Sequence, residues 1–408
     1  MTHTTRCRIC DGAVEEFFDF GRQPLSDRFV RPDELENEFF FRLAVGICAS
    51  CAMVQLMEEV PRTHMFHEDY PYLSSGSSVM RSHFEELAKR FLATELGGPD
   101  PFIVELGCND GVMLKTVADA GVRHLGVEPS GGVAELARAK GIEVRKDFFE
   151  ESTANDIRDG KGPADVIYAA NTLCHIPYME SVLRGVTALL KPSGVFVFED
   201  PYFGDIVERA SFDQIYDEHF YFFTATSVRS MARRFGLDLV DVERIPVHGG
   251  EVRYTLAPAG QRTPAPAVAE LLAEEEARAL SGRDTLLGFA RRVETIREQL
   301  REVLQRAKAE GKTVVGYGAT AKSATVTNFC GINPDLVSFV CDTTEAKQGR
   351  LTPGVHIPVR GPEAFRDPYP DYALLFAWNH ADEIMAKEHE FRAAGGKWIR
   401  YVPEVHVV

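Results

Sequence analysis

Short apolar runs alternate along much of this chain with longer stretches whose apolar residues recur every three or four positions. FIVEL (102–106), HLGV (124–127), GIEVR (141–145), ADVIYAA (164–170) and VFVFE (195–199) each predict a strand. The segments between them carry helical spacing, as at Val112, Leu114 and Val117, and a further helix begins near Met80. Strand and helix in alternation predict a parallel sheet with helices on both faces, an α/β core. The same rhythm returns near the C-terminus. There a strand at Thr313–Gly316 leads through Gly316–Lys322 into a helix, and strands follow at Leu336–Val340 and Tyr372–Phe376. A Pro-rich segment, Pro258 to Pro266, separates the two units and is followed by a short helix. Phe289, Val293, Ile296, Leu300, Val303, Leu304 and Ala307 then mark one buried face of an amphipathic helix.

Composition narrows the class. The 408 residues are 45% hydrophobic and 26% charged, which fits a multi-domain globular protein. A net charge of -16 argues against a nucleic-acid partner, because such partners need a basic face. No apolar run has the length of a membrane span, the polar start MTHTTRCRIC does not read as a signal peptide, and no membrane partner is expected. Eight cysteines are too few for a disulfide scaffold, so a reduced, cytoplasmic setting is expected. No coiled-coil stripe or long exposed edge forces an oligomer, and a monomer is expected.

Four of those cysteines are paired as Cys7-x-x-Cys10 and Cys48-x-x-Cys51. Two such turns facing each other build a tetrahedral sulfur cage for zinc, whereas a redox C-x-x-C needs only one pair. With four cysteine ligands no position stays open for water, so the predicted metal is structural. It would hold a small module, residues 1–65, that could not bury enough surface unaided. The stretch from Met65 to Gly76 crowds Tyr70, Tyr72 and two serines into a turn-rich segment, either a linker or a loop over an active site.

The first strand of the core ends in E-L-G-C-N-D-G, with Glu105 before Gly107 and Asn109, and Glu128-Pro129 ends the second strand. A glycine turn followed about twenty residues later by an acid is how Rossmann-like sheets hold an adenosine ribose. Glu105 would repel a pyrophosphate but suits a ligand carrying an ammonium and a sulfonium, which points to S-adenosylmethionine (SAM) rather than NAD. After the third strand, Asp147 could accept from the adenine amino group with Phe148 against the ring. Asn171 and His175 follow the fourth strand, where open parallel sheets bind ligands; His175 could equally be a packing or capping residue. These features predict a class I SAM methyltransferase core over residues 66–257.

Beyond the fifth strand stands Tyr216-Asp217-Glu218-His219, ahead of the aromatic run Phe220 to Phe223. It reads as an acid–base site or as a polar turn before ordinary core. On a helical turn Tyr216 and His219 share a face, the aromatic run supplies packing, and Asp217 is expected in solvent. His219 has the pKa best suited to a base near neutral pH. In residues 258–408 the GYGATAK turn lacks the third glycine of a dinucleotide fingerprint. With Lys322 opening the helix, it suits a sugar-nucleotide pyrophosphate better than NAD, or else the unit is a structural duplicate.

Taken in order, the four-cysteine module, VELGCNDG, NTLCHIP, YDEHFYFF, HGGEVR (248–253) and GYGATAK resemble one family over nearly the whole length. It is that of the SAM-dependent C-methyltransferases acting on nucleotide-linked 4-keto-deoxysugars in antibiotic biosynthesis. The nearest resemblance is to its branch that methylates C-3' of a dTDP-3-amino-4-ketohexose on the way to tetronitrose. Asn109 departs from the broader E-x-G-x-G-x-G pattern at its middle glycine, a change that asparagine's tolerance of left-handed backbone permits. The resemblance implies SAM and structural zinc as cofactors and a dTDP-linked ketosugar as substrate. It also implies His219 as base, with Tyr216, Glu218, Tyr70 and His175 lining the site, and Tyr72, Lys322 and His248 on the substrate side. Carbon methylation needs a base beside a carbonyl, which gives the YDEH stretch a task. The alternatives are a non-catalytic methyltransferase-like binding protein, a zinc-ribbon methyltransferase acting on a macromolecule, and an NAD-dependent oxidoreductase.

Overall fold

The computed structural model describes residues 5–61 and 73–408, so Tyr70 and Tyr72 lie outside the described residues. Three sheets organise the chain. Near the N-terminus, strands β1 (Val14–Pro24), β2 (Phe40–Cys48) and β3 (Val54–Leu56) form an antiparallel sheet. Helix α1 (Ser78–Ala93), N-capped by the Ser77 hydroxyl, leads into the second layer.

That layer alternates as the apolar runs predict. The elements are β4 (Phe102–Leu106), α2 (Val112–Asp119), β5 (Arg123–Val127), α3 (Gly131–Ala139), β6 (Val144–Arg145), α4 (Glu151–Lys161), β7 (Ala164–Ala170), α5 (Met179–Leu189) and β8 (Leu190–Pro201). Helix α6 (Phe203–Arg209), strand β9 (Tyr221–Phe222), helix α7 (Ala225–Arg234) and strands β10 (Leu237–Ile245) and β11 (Glu251–Pro258) follow. The sheet order is β10-β11-β8-β7-β4-β5-β6, with β11 antiparallel to both neighbours. This is the class I methyltransferase topology, and its two non-parallel contacts come from a hairpin that strand–helix counting does not reveal. Pairing of β8 with β7 is irregular around Lys191–Gly194. Leu190 pairs with Ala164 before it, and pairing resumes at Val195 opposite Val166.

In the C-terminal third, α8 (Pro266–Ala277) precedes α9 (Arg283–Ala309), which buries Phe289, Val293, Ile296, Leu300 and Leu304 as their spacing predicts. Then come β12 (Val314–Tyr317), α10 (Ala321–Cys330), β13 (Val340–Cys341), β14 (Val359–Arg360), α11 (Pro362–Arg366), β15 (Tyr372–Leu375), α12 (Ala381–Lys387), α13 (His389–Ala393), β16 (Lys397–Arg400) and β17 (His406–Val407). Strands β14, β13, β12, β15 and β16 run parallel, with β17 antiparallel at the edge, a second Rossmann-like layer. Among the described residues no helix is long and apolar enough to cross a membrane.

The three sheets do not stand apart. Strand β9 leaves the methyltransferase layer to pair with β3, matching Val54 with Phe222 and Gln55 with Tyr221. On the other side, Phe18 and Phe20 of β1 pack edge-on against Phe329 of α10. The N-terminal sheet is therefore a wedge between the two larger layers, and the segment just before β9 lies where all three meet.

Candidate functional site

The four N-terminal cysteines converge. Cys7 Sγ lies 3.6 Å from Cys51 Sγ and Cys10 Sγ 3.4 Å from Cys48 Sγ, and all four sulfurs fall within 4.8 Å of one another. Zinc–sulfur bonds of about 2.3 Å in a tetrahedron need sulfurs roughly 3.8 Å apart, so the cage fits zinc with little adjustment.

Above the carboxyl ends of the parallel strands lies a cavity lined by Gly107, Asn109, Glu128, Pro129, Phe148 and Asn171 among others. Gly107 has φ of +65°, and a Cβ there would strike the Thr172 side chain, so the turn needs glycine. Asn109 takes φ of +49° in place of the family's middle glycine, and its Oδ1 accepts from the backbone N–H of Ser74 at 3.0 Å and of Asp110 at 2.9 Å. Glu128 accepts from the Asn109 N–H at 3.0 Å and the Ser130 N–H at 2.8 Å, which fixes its carboxylate at the end of β5. Glu105 sits buried behind the turn, and its Oε2 has no hydrogen-bond partner among the described residues. Burial and then the neighbouring Glu128 and Asp110 push its pKa well up. Of these three only Glu128 lines the cavity, while Glu105 lies behind the turn and Asp110 is paired with Lys140 at 2.8 Å, so Glu128 is the carboxylate that would face a cationic ligand such as SAM. Phe148 lines this cavity but Asp147 does not. Its Oδ2 accepts from Arg145 Nη2 at 2.9 Å, an ion pair that spacing along the strand end could not reveal.

A second cavity adjoins the first and is lined from all three layers. Asp27 comes from the N-terminal module; Tyr216, Glu218 and His219 from the YDEH turn; Thr320, Lys322 and Lys347 from the C-terminal layer. Asn171, His175 and His248 line both cavities and mark their junction. Asn171 and His248 hold left-handed backbone, with φ of +47° and +48°, conformations that carry strain for residues with a Cβ and cluster at functional sites.

In the YDEH turn Asp217, Glu218 and His219 are buried and Tyr216 is half-buried. His219 Nδ1 lies 2.8 Å from the Gln214 carbonyl oxygen. A carbonyl only accepts, so Nδ1 carries the proton and the lone pair is on Nε2. Nε2 lies 2.7 Å from the Tyr216 hydroxyl, which donates to it, and the same-face pairing of these residues is thus observed. Burial, followed by the neighbouring His175, drives the His219 pKa well below the usual histidine range. The His175 ring lies 5.1 Å from that of His219, and burial lowers its pKa to about 4. His175 Nδ1 approaches Glu218 Oε2 at 3.9 Å, and burial with nearby Asp27 and Asp217 holds the Glu218 carboxyl well above the usual range.

Asp217 is the clear departure from expectation. Rather than facing solvent it is 2% exposed, and its Oδ1 accepts from the Ser26 backbone N–H at 2.9 Å. The residues from Phe220 to Phe223 are buried, as expected of packing. Asp27 and Lys347 line the second cavity without having been singled out. Their nearest contact to each other, 3.5 Å, spans 320 positions, and no local spacing announces it.

Three family descriptions match successive parts of the chain. Residues 7–66 match a sequence family described as "Putative zinc binding domain", 80–242 one described as a methyltransferase domain, and 246–403 one described as a C-methyltransferase C-terminal domain. The chain is 35% identical to the C-methyltransferase NovU of Streptomyces niveus, over 98% of this chain and 96% of that one. It is 29% identical to the ubiquinone biosynthesis O-methyltransferase of Bordetella pertussis strain Tohama I, over 24% of this chain and 41% of that protein. A SAM-dependent methyltransferase from Anabaena variabilis aligns structurally over 46% of this chain and 88% of its own, at 19% identity and a TM-score of 0.37.

Proposed function

The chain belongs to the SAM-dependent C-methyltransferases, and on that premise we propose that it adds a methyl group to C-3' of a dTDP-linked 4-keto-deoxy(amino)sugar by way of an enolate. The observation that carries this reading is the junction at Asn171, His175 and His248, with the His219–Tyr216 pair lining only the cavity beyond it. A methyl donor in the first cavity would face a substrate whose other side meets a buried, neutral base. An oxygen or nitrogen nucleophile needs little more than positioning, whereas carbon beside a carbonyl needs its proton removed. That requirement gives the Tyr216–His219 pair its task.

His219 and Tyr216 act as one unit in this reading. The Tyr216 hydroxyl takes the C-3' proton as its own passes to His219 Nε2, and the Nδ1–H bond to the Gln214 carbonyl holds the ring in the receptive tautomer. The bound SAM supplies the methyl group. Glu128 would hold the ribose hydroxyls, Phe148 would pack against the adenine, and the acidic turn near Glu105 would favour the donor's positive charge. Lys347 and Thr320 supply a cation and a hydroxyl for an anionic nucleotide-linked sugar in the second cavity, which Lys322 also lines. Incubation with SAM and a panel of dTDP-4-ketosugars tests the reading. Mass gain by one methyl, together with loss of the C-3' hydrogen signal, supports it; methylation at oxygen or nitrogen overturns it.

A further inference from the structure

Lys322 belongs to the GYGATAK turn, far in sequence from the YDEH turn, yet it faces the same cavity. It stands in the first turn of α10, whose N-cap is Thr320, so the positive end of that helix lies beside it. Its Nζ donates to the backbone carbonyl of His248 at 3.3 Å and lies 5.2 Å from the centre of the Trp378 ring. Trp378 is itself anchored, its Nε1 donating to buried Asp213 at 2.6 Å, with the Tyr401 hydroxyl donating to the same oxygen at 2.7 Å. Asp213 and Glu251 are near enough to act on the Lys322 charge, and each is buried with at least one carboxyl oxygen that has no hydrogen-bond partner among the described residues. The ammonium is therefore held from several sides rather than free to follow a ligand.

Its position relative to the junction is what distinguishes it. His175, whose ring neighbours His219, and His248, whose carbonyl holds Lys322, both line the two cavities. Base and cation thus flank one place, the place where a methyl group would cross. We propose that Lys322 is a catalytic residue whose ammonium stabilises the C-4' oxyanion of the enolate, rather than a ligand of the sugar nucleotide's diphosphate. The inference rests on the carbon-methylation reading above. When the C-3'–H bond breaks, its proton goes to the Tyr216–His219 pair and its electron pair forms the C-3'=C-4' bond. The C-4' carbonyl pair then moves onto oxygen. That oxygen is one bond from the carbon adjacent to the reacting centre, whereas the diphosphate hangs from the anomeric carbon farther round the ring. When C-3' takes the methyl group, the sulfur of the donor keeps the bonding pair and the C-4' carbonyl re-forms. A fixed cation aimed at charge that develops only in the transition state raises kcat, whereas one on a permanently charged diphosphate chiefly affects binding.

The test uses the full chain with a dTDP-4-ketohexose that the wild type methylates, and reads three quantities. These are kcat against KM, exchange of the C-3' hydrogen in deuterium oxide without SAM, and the Kd of dTDP. Lys322→Met is expected to lower kcat and exchange together by about 100-fold or more, with dTDP affinity within about two-fold of wild type. Lys322→Arg keeps a charge for Asp213 and Glu251, so it preserves the fold while displacing the donor; both rates should again fall together. Near-wild-type exchange and kcat in either folded variant, with KM and the Kd of dTDP raised, would overturn the inference and return Lys322 to the diphosphate. If the wild type itself neither exchanges nor methylates any ketosugar, the carbon-methylation reading fails and the inference with it.

Discussion

Asp217 and Ser26 are 191 positions apart, yet the Asp217 carboxylate accepts the Ser26 backbone N–H at 2.9 Å in a buried setting. The bond ties the turn that carries His219 to the N-terminal module. Next to it, the Leu56 N–H donates to the Phe220 carbonyl and the Phe220 N–H to the Cys174 carbonyl, at 3.0 and 2.7 Å. The segment bearing the base is thus held between the metal module and the loop bearing His175. Removing the acceptor would leave the Ser26 N–H unsatisfied, at a cost of about 1–3 kcal/mol. Asp217→Ala should lower the midpoint of thermal unfolding and reduce kcat, while Asp217→Asn, which keeps an acceptor oxygen, should lose less. Equal kcat in wild type and Asp217→Ala would show that the tie does not position the base.

The zinc cage acts on the same turn through strand pairing. Cys48 ends β2, Cys51 and β3 follow it, and β3 pairs with β9 two residues beyond His219. A chain that contains one zinc per molecule by elemental analysis should lose it under a strong chelator or in Cys48→Ser. Because Cys48 and Cys51 bracket the turn between β2 and β3, loss of the metal should loosen β3 and with it β9. Hydrogen exchange at Tyr221 and Phe222 is then expected to quicken, with methyl transfer lost, while amides of β4 and β5 stay protected. Unchanged protection at β9 after complete zinc removal would separate the metal from the catalytic turn.

These two ties also show why the site was only partly legible in the sequence. Period and local chemistry act over a few residues, and they foretold what is local. The ADVIYAA strand occupies residues 164–170, Tyr216 and His219 share a face, and the four cysteines converge. Asp217 was expected in solvent because charged residues usually are. The Ser26 N–H, brought in by the N-terminal wedge, helps to make its burial tolerable. The Arg145–Asp147 pair and the β10–β11 hairpin are local features that strand–helix alternation does not mark, whereas the approach of Lys322 to His219's cavity depends on how layers dock. Alternation of strands and helices does not encode that docking.

Replacing the acid–base pair should separate chemistry from binding. His219→Asn or His219→Ala is expected to reduce methyl transfer by about 100- to 10,000-fold, the range for losing a positioned base. Exchange of the C-3' hydrogen should vanish in parallel, and affinity for SAM should stay within about two-fold, because Glu128 and Phe148 are untouched. Tyr216→Phe removes the hydroxyl that stands at Nε2, so it should lose both activities too. If Tyr216→Phe retains full exchange while His219→Asn does not, the proton goes to the imidazole directly. Wild-type turnover in His219→Asn would remove it as the base.

The pH dependence follows from the same burial. His219 must be neutral to accept a proton, and the groups facing it are the Tyr216 hydroxyl, the Gln214 carbonyl, His175, His248 and Lys322. Desolvation disfavours the charged imidazolium, and the positive charge of Lys322 acts in the same direction, so the pKa falls well below the usual histidine range. A lowered pKa means that the competent, neutral form persists as the solution becomes more acidic. The acid limb of kcat/KM for methyl transfer should therefore have its midpoint below pH 6.5, with a flat profile from there through neutrality. Lys322→Met, by removing a nearby positive charge, should move that midpoint upward in whatever residual activity remains. A wild-type midpoint at or above 6.5 would mean that the titrating base is exposed to solvent, which the buried His219 is not.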